Sequence, residues 1–243
     1  MKLSDRLKAV AGMVTPGLKV ADVGCDHGHL AIYLIEKKIS PYVYAMDINR
    51  GPIDRAIINI MESGYSSDIK TILGDGLTEL NPGDAGSIVM AGMGGPLMVD
   101  IIKASPAVCE EADELILQPQ SDIALVRHYL QDKGYLIISE DMICEDDKFY
   151  PMIKAVHGEM DLQREVFFRY GRILIRERNP ILLHFLYLQR KSLNYIRDQL
   201  LNEEQTERVT LRLSEIERDI AFNQEAINLM EKTNPIEIDR ILK

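Results

Sequence analysis

Residues 21–30 read ADVGCDHGHL and carry the strongest structural signal in the chain. The apolar residues before Gly24 are typical of a buried parallel strand, Gly24 lets the backbone approach a ligand closely, and an amphipathic helix pattern begins at Leu30. Asp47 ends the next apolar run, about 20 residues after the loop, where a carboxylate can accept hydrogen bonds from a ribose diol. This arrangement favours a nucleotide-cofactor loop over an ordinary strand-to-helix turn.

The charges of this loop indicate which cofactor it suits. The loop lacks the dense G-x-G-x-x-G that holds a pyrophosphate, and Asp22, Asp26 and His27 lie between and beside its glycines. Carboxylates repel phosphates but attract cations, and S-adenosylmethionine carries both a sulfonium and an ammonium group. The loop therefore favours methyl transfer, with an NAD-dependent oxidoreductase as the alternative.

The composition indicates a globular protein. The chain has 243 residues, 46% of them hydrophobic, which is enough for one large core and a smaller appendage. No apolar run approaches the roughly 20 residues of a membrane span, and the first residues lack the apolar segment of a signal peptide, so the expected location is the cytoplasm. No disulfide and no metal are expected, because the cysteines are widely spaced and His27 and His29 lack a third ligand at a suitable spacing.

Strand and helix patterns alternate along the chain up to about residue 157, which predicts a doubly wound, Rossmann-like α/β domain. The last two strands are predicted near residues 135–142 and 149–157. The polar segment 144–148 between them is too short for a crossover helix. We therefore expect an antiparallel pair at one edge of the sheet.

A second unit is predicted after the polar residues 157–161, where the strand pattern gives way to long helical periodicity. We expect a cofactor-binding methyltransferase domain over residues 1–160. We expect a helical domain over residues 161–243.

The helical domain shows two runs of apolar residues at alternating spacings of four and three, one over residues 182–200 and one over residues 209–230. The polar break at residues 202–206 predicts that the two helices fold back as an antiparallel coiled-coil hairpin. Gln189 and Asn223 would then lie in neighbouring layers and fix the register. The alternatives are a purely structural seam and an unbroken helix that forms a dimer.

The net charge of −10 argues at first against nucleic acid as a partner, but the arginines are unevenly distributed. Of the 15 arginines, 11 follow residue 157, and many of these lie between residues 164 and 197. Such a patch could hold phosphates, or its arginines could pair with Glu165 and Glu177 on a helix surface. The candidate phosphate-binding residues are Arg169, Arg172, Arg176, Arg190, Lys191 and Arg197.

Three further motifs follow predicted strands, at the edge where open α/β sheets bind ligands. They are Gly74-Asp75-Gly76-Leu77, Ala91-Gly92-Met93-Gly94-Gly95-Pro96 and Gln118-Pro119-Gln120. The aspartate of the first could bond an adenine amino group, or the motif could be only a tight turn. The second suits close contact with a base or cofactor, or a hinge. The amides of the third could read base edges or cap the following helix.

Together these motifs resemble the class I S-adenosylmethionine methyltransferases, and more closely the TrmK family, bacterial enzymes that methylate N1 of adenine 22 in the D-arm of tRNA. The resemblance extends to the segments 3–7, 47–49 and 148–150 and to the helical tail. The family loop usually reads D-I-G-S-D-H-A-Y-L-P. This chain departs from that loop at Cys25, Gly28, His29 and Ala31, which leaves the contact of His29 open.

The resemblance implies a role for each matching residue. The implied cofactor-binding residues are Arg6, Asp22, Gly24, Cys25, His27, Asp47, Ile48, Asn49, Gly74, Asp75, Gly76, Ala91 and Gly92. The implied catalytic residues are Asp26, Met93 and Tyr150. Asp26 would stabilise the positive charge of the methylated ring, and the other two side chains would pack on the base.

The glycines after the fourth predicted strand also bear on the reaction, because enzymes that methylate exocyclic amines usually carry an Asn/Asp-Pro-Pro-aromatic motif there. N1 of adenine already has an in-plane lone pair, so its methylation needs alignment more than a general base. Together with these glycines, the resemblance implies the expected function, which is methylation of N1 of adenine 22 in the D-arm of tRNA. We expect a monomer whose helical domain binds the tRNA. The alternatives are a catalytically silent S-adenosylmethionine-binding RNA-binding module and a methyltransferase for a small molecule or protein.

Overall fold

The computed structural model describes residues 3–204 and 206–232. They form two compact units that divide between Met160 and Asp161. Within these residues, no helix is both long enough and apolar enough to cross a membrane.

In the described residues of the first unit, seven strands form one sheet. The strands are β1 (Val20–Val23), β2 (Val43–Asp47), β3 (Ile69–Leu73), β4 (Ser87–Gly94), β5 (Glu114–Ser121), β6 (Tyr135–Glu145) and β7 (Lys148–His157). They lie in the order β3-β2-β1-β4-β5-β7-β6, with β1 to β5 parallel and β7 antiparallel to both of its neighbours. The predicted Rossmann-like α/β fold is confirmed, and so is its antiparallel edge pair.

Helices cover both faces of this sheet. They are α1 (Asp5–Met13), α2 (His29–Glu36), α3 (Arg50–Ser63), α4 (Gly95–Ala104), α5 (Pro106–Glu110) and α6 (Ile123–Asp132). Successive side chains of β1, β4 and β5 enter two separate apolar cores, as the alternation of side chains along a strand requires. The direction of winding reverses between β1 and β4, and ligands bind at the carboxyl ends of strands at such a switch point.

The edge hairpin is longer than predicted. Pairing between β6 and β7 continues to Glu145 and Lys148, so the connection is Asp146-Asp147 rather than the whole polar segment 144–148. Both aspartates have positive φ, 50° and 57°, as a two-residue type I′ turn requires. The polarity of residues 144–148 predicted a turn over the whole segment. Polar residues can also pair in the strands where the end of a hairpin faces solvent, so polarity alone overestimates the length of the turn.

Helix α1 is an addition to the predicted elements, and polar contacts fix both of its ends. The Ser4 hydroxyl accepts a hydrogen bond from Leu7 N at 3.2 Å and caps the first turn. At the other end, Lys154 Nζ donates to Met13 O at 2.8 Å and pairs with the buried Glu114 at 2.7 Å. These contacts anchor α1 to β5 and β7.

The second unit is helical. Its helices are α7 (Glu165–Tyr170), α8 (Arg172–Arg176), α9 (Pro180–Leu201) and α10 (Glu207–Lys232). Helices α9 and α10 pack against each other, in agreement with the predicted hairpin. The residues of the predicted helical domain after 232 lie outside the described part of the chain.

A buried polar contact fixes the register of this hairpin. Asn223 Nδ2 donates to Leu186 O at 2.9 Å and to Gln189 Oε1 at 3.0 Å. Tyr170, on α7, donates its hydroxyl proton to the same Gln189 oxygen at 2.9 Å. Gln189 and Asn223 therefore occupy adjacent layers, as their spacing predicted.

Candidate active site

A cavity of about 420 Å³ opens at the carboxyl ends of β1, β2, β4 and β5. Its wall combines the loop after β1, the starts of α2 and α3, and one side of α1. The lining residues are Arg6, Leu7, Asp22, Gly24, Cys25, Asp26, His27, His29, Leu30, Asp47, Asn49, Pro52, Ala91, Gly92 and Gln120. The motifs that follow β1, β2 and β4 thus meet at the switch point of the sheet.

The loop after β1 is held in a conformation that needs glycine. Gly24 has φ +75°, and its N–H donates to Met46 O at 2.8 Å. A Cβ built on Gly24 would overlap the terminal methyl group of Met93. Gly28, with φ +72°, then begins α2. A side chain at position 24 would therefore be strained and would press against Met93.

Asp22 is the buried carboxyl group of the cavity. Its side chain accepts a hydrogen bond from the Ala31 backbone, while its Oδ2 atom has no hydrogen-bond partner among the described residues. Burial, together with the nearby charge of Asp47, raises the pKa of Asp22 to about 7 despite the Ala31 bond. Such a group gains from a cationic hydrogen-bond donor in the cavity.

Asp47 and Asn49 form a second polar wall. Asn49 N donates to Asp47 Oδ1 at 2.8 Å, which fixes that carboxylate, and no described residue forms a hydrogen bond with its other oxygen. Gly74 N donates to Asp47 O at 3.1 Å, so the glycine motif after β3 lies directly beside the end of β2.

Arg6 reaches the cavity from α1 and is held there by two contacts. Its Nη1 donates to Gln118 Oε1 at 2.8 Å, and its guanidinium carbon lies 5.6 Å from the centre of the Tyr150 ring. A Cβ on Gly92 would come within 3.3 Å of the same Nη1 atom. The guanidinium is therefore fixed beside the glycine segment of β4.

The two histidines of the loop stack, with ring centres 5.4 Å apart. Asn59 of α3 donates to His27 O at 2.9 Å and lies 3.4 Å from His29 Nε2. Burial, and then the proximity of His27, lowers the pKa of His29. In the described part of the chain, no group of three or more His, Cys, Asp or Glu residues could hold a metal ion.

Some residues implied by the resemblance do not line the cavity: Ile48, Gly74, Asp75, Gly76, Met93 and Tyr150. Gly76 has a packing reason to be glycine, since its φ is +58° and a Cβ there would lie 2.9 Å from Ile101 Cγ2. The Cys25 thiol does line the cavity, and burial raises its pKa, which disfavours the nucleophilic thiolate.

Five lining residues were not among the implied site residues: Leu7, His29, Leu30, Pro52 and Gln120. The comparison with the family loop left the contact of His29 open, and Leu7, Leu30 and Pro52 lie on helices, whose exact placement sequence patterns do not give. The sequence did point to Gln120, because this residue follows the apolar run of β5 in the same way as the glycine motif follows the apolar run of β4.

In the second unit, Arg169 is held by neighbouring side chains. It donates to Asp219 at 2.7 Å and to Glu165 at 3.3 Å, and it lies 4.5 Å from the centre of the Phe222 ring. Arg169 therefore matches the alternative in which the arginines pair with acidic residues on the helix surface, rather than a free phosphate site.

The other five candidate phosphate-binding residues divide into two groups. Arg176 and Arg197 each pair with the acidic residue that follows them, at 3.1 Å and 2.8 Å. Arg172, Arg190 and Lys191 have no ion pair with any residue that the structure describes. These three are the most available for an external anion.

Comparison with known proteins identifies the family. Residues 3–153 match the family model described as "Methyltransferase domain". The chain is 30% identical over 233 residues to the tRNA (adenine(22)-N(1))-methyltransferase of Bacillus subtilis, covering 94% of this chain and 98% of that protein.

Solved structures agree. The B. subtilis m1A22 tRNA methyltransferase TrmK is 30% identical, with a TM-score of 0.85 over 93% of this chain and 99% of that one. A Streptococcus pneumoniae protein solved in complex with S-adenosyl-L-methionine is 27% identical, with a TM-score of 0.83 over 93% and 100%. The resemblance inferred from the motifs is thus confirmed, and the chain belongs to the TrmK family of methyltransferases.

Proposed function

We propose that this chain methylates N1 of adenine 22 in tRNA, with S-adenosylmethionine as the methyl donor. The observation that carries the proposal is the switch-point cavity, in which a buried, partly unpartnered Asp22 carboxyl lies with Gly24 and Gly92. The name of the B. subtilis relative and the ligand of the S. pneumoniae structure support the same reaction.

The cavity residues fit a cofactor that carries positive charge. A buried acceptor without a donor, such as Asp22 Oδ2, costs about 1–3 kcal/mol until a donor arrives. The ammonium group of the cofactor would supply both the donor and the charge. Gly24 and Gly92, both at positive φ, leave backbone exposed for the close approach of a ligand.

When bound, S-adenosylmethionine supplies a methyl group that its sulfonium makes electrophilic. Arg6, already oriented by Gln118, would pair with the carboxylate of the methionine part. The free oxygen of Asp47 would accept hydrogen bonds from the ribose. Backbone groups of the loop would complete the methionine site, with Cys25, His27, Asn49 and Ala91 as the remaining wall.

We also propose that adenine of the cofactor lies beside the ends of β2 and β3. Gly74 is hydrogen-bonded to Asp47, so a ring that extends past the ribose site would reach Asp75 and Gly76. The exposed Ile48 side chain would cover it from the other side.

The acceptor adenine uses the lone pair on its N1 atom, and the product ring carries a positive charge. Asp26 lines the cavity and its side chain is 67% exposed, so its carboxylate is accessible to the acceptor ring and would stabilise that charge. Met93, against Gly24, and Tyr150, against Arg6, would pack on the base. Asp26→Ala should therefore lower turnover far more than cofactor affinity, and equal losses in both would reject this role.

The second unit would hold the tRNA backbone. Arg172, Arg190 and Lys191 would contact phosphates first, and Arg169, Arg176 and Arg197 would exchange their present partners for phosphates or support the surface. Replacing one phosphate-binding side chain by alanine should reduce the slope of log affinity for tRNA against log salt concentration by about 1. A tRNA substrate also supports a cytoplasmic location, and closure of the α9–α10 seam within one chain supports a monomer.

The test is methyl transfer from labelled S-adenosylmethionine to unmodified tRNA transcripts, followed by mass spectrometry of nuclease fragments. We expect 1-methyladenosine at position 22 and none after replacement of that adenine by guanine. Cofactor binding without transfer to any tRNA would instead support the silent module. Transfer only to a protein or small molecule would support the other alternative.

A further inference from the structure

Two glutamines flank Pro119 at the end of β5, and their environments differ. Gln118 is fully buried, with its Oε1 accepting from Arg6 and its Nε2 donating to Pro119 O at 3.4 Å. Gln120 is exposed and lines the cavity, and its amide has no hydrogen bond to any residue of the ranges 3–204 and 206–232. Gln118 is thus committed to orienting Arg6, while the Gln120 amide is available to a ligand.

Gln120 lies beside Gly92, a glycine of the cavity wall. A Cβ on Gly92 would be 3.3 Å from Arg6 Nη1 and 3.6 Å from Gln120 Nε2, so these two groups approach the Gly92 backbone together. The chain shifts register between Ala91 and Met93, which places Gly92 in a bulge. The Gln120 amide therefore lies at a rim of the cavity formed by β4 and β5.

The carboxylates assigned to the cofactor lie at other strands. Asp22 belongs to β1 and Asp47 to β2, whereas Gly92 and Gln120 belong to β4 and β5. A methyl donor held by the two carboxylates leaves the β4–β5 rim for the acceptor. A base that enters there meets the Gln120 amide, next to the Arg6 guanidinium that would pair with the carboxylate of the cofactor.

The backbone that carries Gln120 is tightly packed. A Cβ on Gly95 would lie 2.7 Å from Ser121 O and 2.8 Å from Asp122 O, so α4 begins in direct contact with the segment after Gln120. Asp122 is itself held at φ +51° before α6. This packing fixes the backbone from which the Gln120 side chain extends, so the amide starts from a defined place at the rim before the substrate arrives.

Adenine offers this amide a complementary edge. Methylation at N1 requires that N1 point to the donor, and this leaves the N6 amino group and N7 on the neighbouring edge. A glutamine amide pairs with that edge in two hydrogen bonds, accepting from N6–H and donating to N7. We infer that Gln120 recognises the N6 and N7 atoms of the target adenine and is a specificity-determining residue, an inference that rests on the proposed tRNA methylation.

The experiment removes the partner atom from the RNA and the amide from the protein in turn. Two ligated tRNA transcripts carry adenosine or 7-deazaadenosine at position 22, so that the second lacks the N7 acceptor. For the wild-type chain, kcat/KM should fall about fivefold with 7-deazaadenosine, the size of one neutral hydrogen bond. For Gln120→Ala the same replacement should change kcat/KM less than about twofold, although activity on both transcripts is lower.

Arg190→Ala is the matched control, because a weakened phosphate contact should lower kcat/KM on both transcripts and preserve the fivefold ratio. Equal ratios for the wild-type chain and Gln120→Ala would overturn the inference and leave the proposed function intact. A wild-type chain that methylates neither transcript would overturn the proposed function and, with it, the role of Gln120. Equal melting temperatures of Gln120→Ala and wild type verify that the variant is folded.

Discussion

Asp22→Asn removes the buried ionisable group of the cavity, and its effect should depend steeply on pH. Burial raises the pKa of Asp22 to about 7, so the carboxyl is half protonated near neutral pH when the cavity is empty. A cationic cofactor pairs only with the ionised form, and binding below pH 7 must therefore displace a proton. With a pKa of about 7, the ionised fraction falls to about one tenth at pH 6, which predicts an approximately tenfold weaker Kd at pH 6 than at pH 8.

The assay is calorimetric titration with S-adenosylmethionine between pH 6 and pH 8 in buffers of different ionisation enthalpy, which reveals the proton released on binding. Asp22→Asn should bind more weakly at every pH, with a flat profile in this range. Asp26→Asn is the control, since it removes an exposed carboxylate of the same loop and should keep the slope. A wild-type Kd that does not change between pH 6 and pH 8, with no proton release, would refute the assignment of Asp22 to the cofactor cation.

The pH dependence of the stability of the cofactor-free protein tests the raised pKa of Asp22 independently of cofactor binding. The pKa of Asp22 rises from an ordinary value of 3.8 to about 7 on folding, and a difference of about 3 in pKa corresponds to about 4 kcal/mol. Because the folded state holds the proton more tightly, the wild-type free energy of unfolding should fall relative to that of Asp22→Asn as pH rises from 4 to 7, and the difference should level off above pH 7. Urea unfolding across this range measures it, and parallel profiles for the two proteins would contradict it.

Three further predictions concern single contacts, each measured as the free energy of unfolding in urea. Gly24→Ala should cost about 1–2 kcal/mol, because alanine is strained at φ +75° and its Cβ meets Met93. Adding Met93→Ala should restore only the part of this free energy that comes from the contact with Met93. An unchanged stability of Gly24→Ala would contradict the strain. Asn223→Ala should cost about 1–3 kcal/mol, because Leu186 O and Gln189 Oε1 lose the Asn223 amide donor and only Tyr170 still donates to Gln189. The exposed Gln199→Ala should change little, and equal effects of the two substitutions would count against the polar layer. Glu114→Gln should cost about 3 kcal/mol at pH 7.5 by leaving Lys154 uncompensated. Burial alone would raise the pKa of Glu114, but the hydrogen bonds from Lys154 and Thr15 outweigh it and lower the pKa. The pair's contribution should therefore be fully present above pH 4.5 and decrease as pH falls through the lowered pKa, and a cost that grows as the solution is acidified would contradict it.

The sheet was predictable because the parallel strands β1, β2, β4 and β5 contain apolar runs, and those of β1 and β4 end in a glycine motif. Val20, Val89 and Ile116 are examples of strand residues that face the core and are apolar. The spacing of such apolar residues in the sequence therefore identifies the strands. The seam of the hairpin was predictable for the same reason, and Asn223 and Gln189 interrupt it in adjacent layers.

The parts that the sequence did not predict depend on contacts between distant residues. Arg6 is placed by Gln118, more than one hundred residues away, and α1 is anchored by Lys154. For the basic residues of the helical domain, the sequence indicated a role that a contact in the folded unit changes. Composition indicated a phosphate-binding surface, but Arg169 is engaged by Asp219, which is far from it in sequence and adjacent in the folded unit.

The most direct test of the account is a crystal structure of the protein with S-adenosylmethionine at pH 7.5. The account predicts cofactor density in the cavity at the ends of β1, β2 and β4, with the amino group within hydrogen-bonding distance of Asp22 Oδ2 and the ribose at Asp47. Density for the cofactor at any other place, or a fully loaded protein whose Asp22 carboxyl makes no contact with the ligand, would contradict it.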